Sequence, residues 1–168
     1  MSKPLSPYRS LTAERRLALM THALANHKGT RAIYIQRLVS RGGGFRAVTL
    51  QGWSSDRLAK EVIRLNAQSA QDELDLLQLL YVDMEPQYQV TFLDAASVRH
   101  EKGVIPEDMA APYADTIGVA QGAAAVLAAH GDAGRHYLRT LVVYNLHAWP
   151  GLDSELAKGE LSTSESAS

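Results

Sequence analysis

The sequence contains no cysteine and little proline or glycine, and each shortage excludes particular kinds of protein or site. Without cysteine the chain has no disulfide framework, no thiolate zinc site and no cysteine nucleophile. Six prolines and twelve glycines in 168 residues are too few for a collagen-like or low-complexity chain. The hydrophobic content of 46% is that of an ordinary globular protein with a buried core.

Long apolar runs are also missing. The best candidate covers residues 116–129 and is largely alanine and glycine, whereas a bilayer-spanning helix needs roughly 20 apolar residues. The first nine residues are polar and lack the apolar segment of a secretory signal. We therefore expect a soluble, cytoplasmic protein without a membrane span.

The charges are unevenly divided along the chain although its net charge is only −1. Residues 1–64 hold 12 Lys/Arg and 3 Asp/Glu, a net charge of +9, whereas residues 65–168 hold 5 and 15, a net charge of −10. Residues 65–98 and 103–134 contain no lysine or arginine. This asymmetry indicates binding through charged surfaces, either to partner proteins or between copies of this chain.

Length and composition predict one globular domain over residues 11–152, because about 150 residues is a common domain size. Residues 1–10 are predicted to be a flexible N-terminus. Residues 153–168 are predicted to be a disordered tail, since their few large apolar groups cannot offset the entropy lost on ordering.

Most of the domain is predicted to be helical. A first helix is expected over Ala13–Asn26 with Thr12 as its N-cap, and another from Ser54 or Ser55 to about residue 66. A capping box at Ser69 and Asp72 precedes a helix that ends near residue 84. Later helices are predicted after Pro86, over residues 113–129 and over residues 133–148. For the first of these, the period-two spacing of Tyr88, Val90 and Phe92 also fits a strand.

Residues 31–52 fit two structures. Two runs rich in β-branched and aromatic residues flank the glycines at 42–44, a pattern typical of a β-hairpin. If Ser40 pairs with Phe45, the hairpin places four apolar side chains on one face: Ile33, Ile35, Val48 and Leu50. In the alternative, residues 31–40 form a second helix, as in a helix-turn-helix. With the hairpin favoured, the predicted fold class is α+β, mostly α: an N-terminal helix and a β-hairpin followed by a bundle of about five helices.

Six cations are the candidate binding residues, for a protein partner or for a phosphate backbone. Three surround the glycine-rich tip, and three share a helix face at i, i+3 and i+7: Arg37, Arg41 and Arg46, then Arg57, Lys60 and Arg64. The alternative is a solvated face whose arginines pair with carboxylates of this chain. The nearby aromatics, including Trp53, are predicted to be core residues.

Motifs for catalysis or for cofactor binding are not found. His22 and His27 are five residues apart, whereas two metal ligands on one helix face need a spacing of three or four. His130, His136 and His147 fall near the last two predicted helices. We therefore predict no catalytic residue, no metal and no cofactor.

The first functional hypothesis is a non-enzymatic, cytoplasmic interaction protein of regulatory or adaptor type. It would act through a basic N-terminal face and an acidic helical body, with a protein partner or a second copy of the chain. One alternative is a nucleic-acid-binding protein that uses the hairpin and the basic helix face. A further alternative is an enzyme with a site assembled from scattered histidine and aspartate residues.

Overall fold

The fold is all-helical in the computed structural model, which describes residues 5–145 and 147–165 and places side chains up to residue 160. Helices account for 68% of the described residues, which contain no strand and no sheet. The chain divides between Leu79 and Leu80 into two compact units, residues 1–79 (unit 1) and residues 80–168 (unit 2).

Unit 1 contains five helices: α1 (Ala13–Asn26), α2 (Lys28–Ser40), α3 (Ala47–Gln51), α4 (Ser55–Arg64) and α5 (Ala70–Leu79). Unit 2 begins with a π-helical turn, Leu80–Met84. It continues with three helices: α6 (Gln87–Ala95), α7 (Thr116–Asn145) and α8 (Leu152–Glu165).

The β-hairpin predicted for residues 31–52 is wrong, and with it the α+β fold class. In its place α2 buries three side chains at helical spacing: Tyr34, Ile35 and Leu38. Ile33 and Val48, which the hairpin register needs on its buried face, are 50% and 81% exposed. Burial of the helical face therefore outweighs the β propensity of these residues. The alternative second helix is confirmed, and it begins at Lys28.

The predicted helix starts are confirmed by their caps. Thr12 Oγ1 accepts a hydrogen bond from the Arg15 amide at 3.2 Å, at the start of α1. Ser54 caps α4 in the same way. The capping box before α5 is reciprocal, because Asp72 N donates to Ser69 Oγ at 3.3 Å and Ser69 N donates to Asp72 Oδ2 at 2.5 Å.

The core of unit 1 includes residues that precede α1. Its fully buried side chains come mainly from α1, α2 and α4: Leu19, Met20, Leu24, Leu38, Leu58 and Val62. Tyr8 is also fully buried, and Arg9 Nε donates to the buried Glu73 carboxylate at 3.0 Å. Residues 6–10 thus make specific contacts within unit 1, and residues 1–4 lie outside the described part.

In unit 2, α7 is interrupted at Gly131, whose φ of +55° favours glycine. The two segments of α7 on either side of Gly131, residues 116–130 and 132–145, pack closely against each other near this turn. A Cβ added to Gly134 would lie 2.7 Å from the Val126 carbonyl oxygen. The predicted turn between two helices around residue 131 is therefore confirmed.

Small and aromatic residues build the core of unit 2. A Cβ on Gly122 would lie 2.9 Å from the Phe92 ring and carbonyl oxygen, so glycine lets α7 approach α6. Phe92 contacts the Trp149 ring edge-to-face, and Tyr137 packs among Tyr81, Tyr88 and Phe92. Burial raises the pKa of the Tyr137 hydroxyl.

The last described element lies where we predicted a disordered tail. Leu152–Glu165 forms α8, which contacts α7 and buries Leu152 and Leu156. Residues 166–168 of the predicted tail lie outside the described residues. None of the helices described combines the length and apolar character needed to cross a membrane.

Candidate binding surface

Arg37, the first of the six predicted cations, links α2 to the start of α5. Its Nη1 donates to Asp72 Oδ2 at 2.5 Å and to the Ala67 carbonyl oxygen at 3.3 Å. Its guanidinium lies 5.2 Å from the Tyr34 ring centroid. Burial acts to raise the pKa of Asp72, but hydrogen bonds from Arg37 and Ser69 outweigh it and hold that pKa below its usual value.

Arg41 lies one turn beyond Arg37, immediately after α2. Its Nη1 donates to the Leu65 carbonyl oxygen at 2.6 Å, while the side chain stays exposed. Within the described ranges Arg41 forms no ion pair, so its positive charge is not neutralised locally.

On the outer face of α4, two of the three predicted binding cations have carboxylate partners. Lys60 Nζ lies 2.9 Å from Asp56 Oδ2, and Arg64 Nη2 lies 2.5 Å from Glu61 Oε1. Both pairs are internal to the helix. The i,i+4 and i,i+3 spacing of these carboxylates is visible in the sequence, and it agrees with the alternative in which the cations pair with carboxylates of this chain.

Arg57 differs from the other two cations of α4. Its guanidinium carbon lies 3.9 Å from the centroid of the Trp53 ring, within cation–π distance. Trp53 contacts Phe45 edge-to-face, with ring centroids 5.2 Å apart. No carboxylate of the described chain forms an ion pair with Arg57.

Arg46 and Val48 follow Phe45 closely in the sequence, at the start of α3. Arg46 is exposed at the N-terminus of α3 and has no ion pair in the part of the chain described. Val48 follows it in α3 and is 81% exposed. We name this group, defined by Arg46, Val48, Arg57 and the rings of Phe45 and Trp53, the α3 patch.

Arg31 holds the turn beneath the α3 patch. Its Nη2 donates to the Trp53 carbonyl oxygen at 2.7 Å and to that of Gln51 at 3.4 Å, and its Nη1 donates to Ser55 Oγ at 3.2 Å. These bonds fix the connection between α3 and α4. Arg31 was not among the predicted site residues, and a contact more than 20 residues away leaves no local signal.

No family model, curated protein or solved structure gives a significant match to this chain. Any proposal about its function therefore rests on the contacts and charges of the described residues.

The acidic stretches give unit 2 a net charge of −7, from 5 Lys/Arg and 12 Asp/Glu. Most of these carboxylates are exposed, as predicted for outer helix faces. Asp108 accepts two hydrogen bonds from Arg99, which lower its pKa. In unit 1, Glu73 departs from the prediction because it is only 5% exposed and accepts from Ser6 and Arg9.

Two of the three histidines named near the end of the chain belong to the packing of unit 2. The His130 ring stacks edge-to-face on Tyr88 at 4.7 Å, and its Nε2 lies 3.1 Å from Thr91 Oγ1. His136 Nδ1 is hydrogen-bonded with the Tyr81 hydroxyl. Both histidine rings are therefore part of the aromatic core of unit 2.

Proposed function

We propose that this chain is a cytoplasmic, non-enzymatic binding protein of adaptor or regulatory type. It contacts an acidic partner protein through the α3 patch of unit 1. The observation that carries the proposal is Val48, an 81% exposed aliphatic side chain on the short helix that Arg46 begins, and Arg46 has no carboxylate partner among the described residues.

The composition of the α3 patch is that of a protein-binding surface. Arginine and aromatic residues are enriched where interfaces carry most of their binding energy. Stacking on Trp53 already restricts the Arg57 side chain, so less entropy is lost when a partner orders it. Val48 offers apolar area that becomes buried on contact.

The charge of unit 1 favours an acidic partner. Residues 1–79 hold 12 Lys/Arg and 6 Asp/Glu, a net charge of +6. Four of those carboxylates already pair with cations of the same unit: Asp56, Glu61, Asp72 and Glu73. The surplus positive charge would speed association with an acidic protein and orient it. Unit 2 carries the opposite net charge, so its surface suits a basic protein or the basic unit of a second copy of the chain.

Nucleic-acid binding stays a prediction with less support. Two of the three α4 cations chosen for it pair with carboxylates on their own helix, which lowers the net charge facing a phosphate backbone. The exposed Val48 also suits a protein surface better than a row of phosphates.

Affinity purification from the native cell, with and without nuclease treatment, tests the proposal. The baits are the full chain, Arg46→Glu and Val48→Asp. We expect the full chain to retain an acidic protein that both variants lose, because the first reverses a charge and the second places a carboxylate on the apolar contact. Direct titration of the purified partner should then show weaker binding with rising salt.

Val143→Asp is the matched control, since Val143 is also an exposed valine, 57% accessible, and belongs to unit 2. It should retain the partner. If Val48→Asp and Arg46→Glu capture the same proteins as the full chain, the α3 patch is not the contact surface. Capture that disappears with nuclease treatment would instead support the nucleic-acid alternative.

A further inference from the structure

Unit 1 contains a cleft of about 510 Å³, which is lined by residues of α2, by Arg41 and by residues 67–69. Six of its eight lining residues are polar, among them Arg37, Arg41 and Gln68, while Ile33 and Ala67 add apolar surface. This volume falls in the range of small-molecule sites in proteins. The cleft is separate from the α3 patch, because none of the five residues that define that patch lines it.

Two arginines form a cationic wall in this cleft. Arg37 and Arg41 are one helical turn apart, and a hydrogen bond through Nη1 anchors each of them, to Asp72 in one case and to the Leu65 carbonyl oxygen in the other. Anchoring holds the guanidinium groups in place before a ligand arrives. Asp72 neutralises Arg37, whereas the charge of Arg41 has no carboxylate beside it in the described part of unit 1.

Gln68 supplies a second and independent feature. Its side-chain Oε1 is buried and has no hydrogen-bond partner among the described residues. A buried acceptor without a donor costs roughly 1–3 kcal/mol, so such atoms are rare and call for an explanation. Because Gln68 lines the cleft, a rotation of its side chain would bring this oxygen to a ligand there that carries an N–H or O–H group.

We propose that the cleft binds a small organic anion with two features: an oxyanion group, phosphate or carboxylate, and a hydrogen-bond donor. Arg41, assisted by Arg37, would hold the oxyanion, since planar guanidinium groups match both kinds of anion. Gln68 Oε1 would accept from the donor. Ile33 and Ala67 would contact the carbon skeleton between the two groups.

Titration calorimetry on the full chain tests this site with two probes, adenosine monophosphate and L-glutamate. Each carries an anion and a donor, one through phosphate and the other through carboxylate. Binding of one probe and not the other identifies the anion that the site prefers. Absence of binding by both probes at millimolar concentration would overturn the proposal.

Two variants test whether the probes bind in the cleft. Arg41→Gln removes the unpaired charge, and Gln68→Leu removes the acceptor while keeping a side chain of similar size. Each should weaken binding by about tenfold or more, the usual effect of losing a charged or buried hydrogen bond. Gln68→Leu should fold normally, because the lost oxygen makes no bond within the described protein. Arg46→Gln, outside the cleft, should bind as the unmodified chain does.

If Arg41→Gln and Gln68→Leu bind the probes as tightly as the unmodified chain does, the cleft is not the binding site and the proposal is overturned. The test is independent of the protein-binding proposal, because Val48→Asp alters the α3 patch and leaves the cleft lining intact. Loss of the partner protein by Val48→Asp, with normal probe binding, would therefore separate the two surfaces.

Discussion

Arg37 Nη1 and Asp72 Oδ2 lie 2.5 Å apart and join two helices of unit 1 across 35 residues of sequence. The pair is half-buried, with 35% of the arginine side chain and 17% of the aspartate side chain exposed. Asp72 also caps α5 through the Ser69 amide. One carboxylate thus fixes both the start of α5 and its position against α2.

Asp72→Asn should lower the free energy of unfolding by about 1–3 kcal/mol at pH 7, because a charge-assisted hydrogen bond is lost. The folded-state pKa of Asp72 lies below its usual value. The stabilisation is therefore complete above the unfolded-state pKa of about 3.9 and lost as pH falls through the lower folded-state pKa. Urea denaturation from pH 7 down to about pH 2 should show the difference between the two proteins shrinking below the unfolded-state pKa.

Asp56→Asn is the control for that prediction. Asp56 pairs with Lys60, but the two side chains are 54% and 62% exposed. Solvent screens such pairs, so the variant should change the free energy of unfolding by less than about 0.5 kcal/mol. A loss as large as that of Asp72→Asn would contradict the special role of the half-buried pair.

Gly122→Ala should destabilise the protein by about 1–3 kcal/mol, because its Cβ would lie 2.9 Å from the Phe92 ring and carbonyl oxygen. Thermal unfolding followed by circular dichroism measures the change. Gly29→Ala provides the contrast, since nothing lies within 4 Å of its added Cβ. That variant should be neutral or gain up to about 1 kcal/mol from helix propensity.

Ser97→Gly should stabilise unit 2 by about 0.5–1 kcal/mol. Ser97 follows α6 with a φ of +58°, and the Val98 amide donates to the Leu93 carbonyl oxygen, as in a Schellman motif that favours glycine. Asn66 ends α4 in the same way, with a φ of +49°. Because asparagine tolerates this conformation, Asn66→Gly should give a smaller gain in the same denaturation experiment.

Arg31→Gln should destabilise unit 1 by about 1–3 kcal/mol, because the Trp53 and Gln51 carbonyl oxygens lose their shared donor. It should also weaken partner binding, since these bonds hold the turn beneath the α3 patch. Lys28→Gln is the control, an exposed cation of the same helix. A variant that loses stability yet binds the partner normally would show that Arg31 does not position the patch.

The helix starts were predictable because capping is local. Thr12, Ser54 and Ser69 each accept from an amide three residues ahead, so the pattern is visible within four residues. The structure of residues 31–52 was not predictable in this way. Whether Tyr34, Ile35 and Leu38 are buried depends on packing against distant helices, and such packing overrides the propensity of β-branched residues.

The site was predicted only in part for the same reason. Cation positions follow from the sequence, and the helix-internal partners of Lys60 and Arg64 could have been found there too. The Arg37–Asp72 pair and the anchoring role of Arg31 span 35 and more than 20 residues. Long-range pairings of this kind are set by the fold and have no periodic signature.

The stacking of Arg57 on Trp53 has an optical consequence. The chain has two tryptophans, and each unit contains one. Trp149 is 4% exposed in unit 2, whereas Trp53 is half-buried under a guanidinium that a bound partner would cover. With Trp149 replaced by phenylalanine, the fluorescence of Trp53 becomes a label-free reporter of events at the α3 patch.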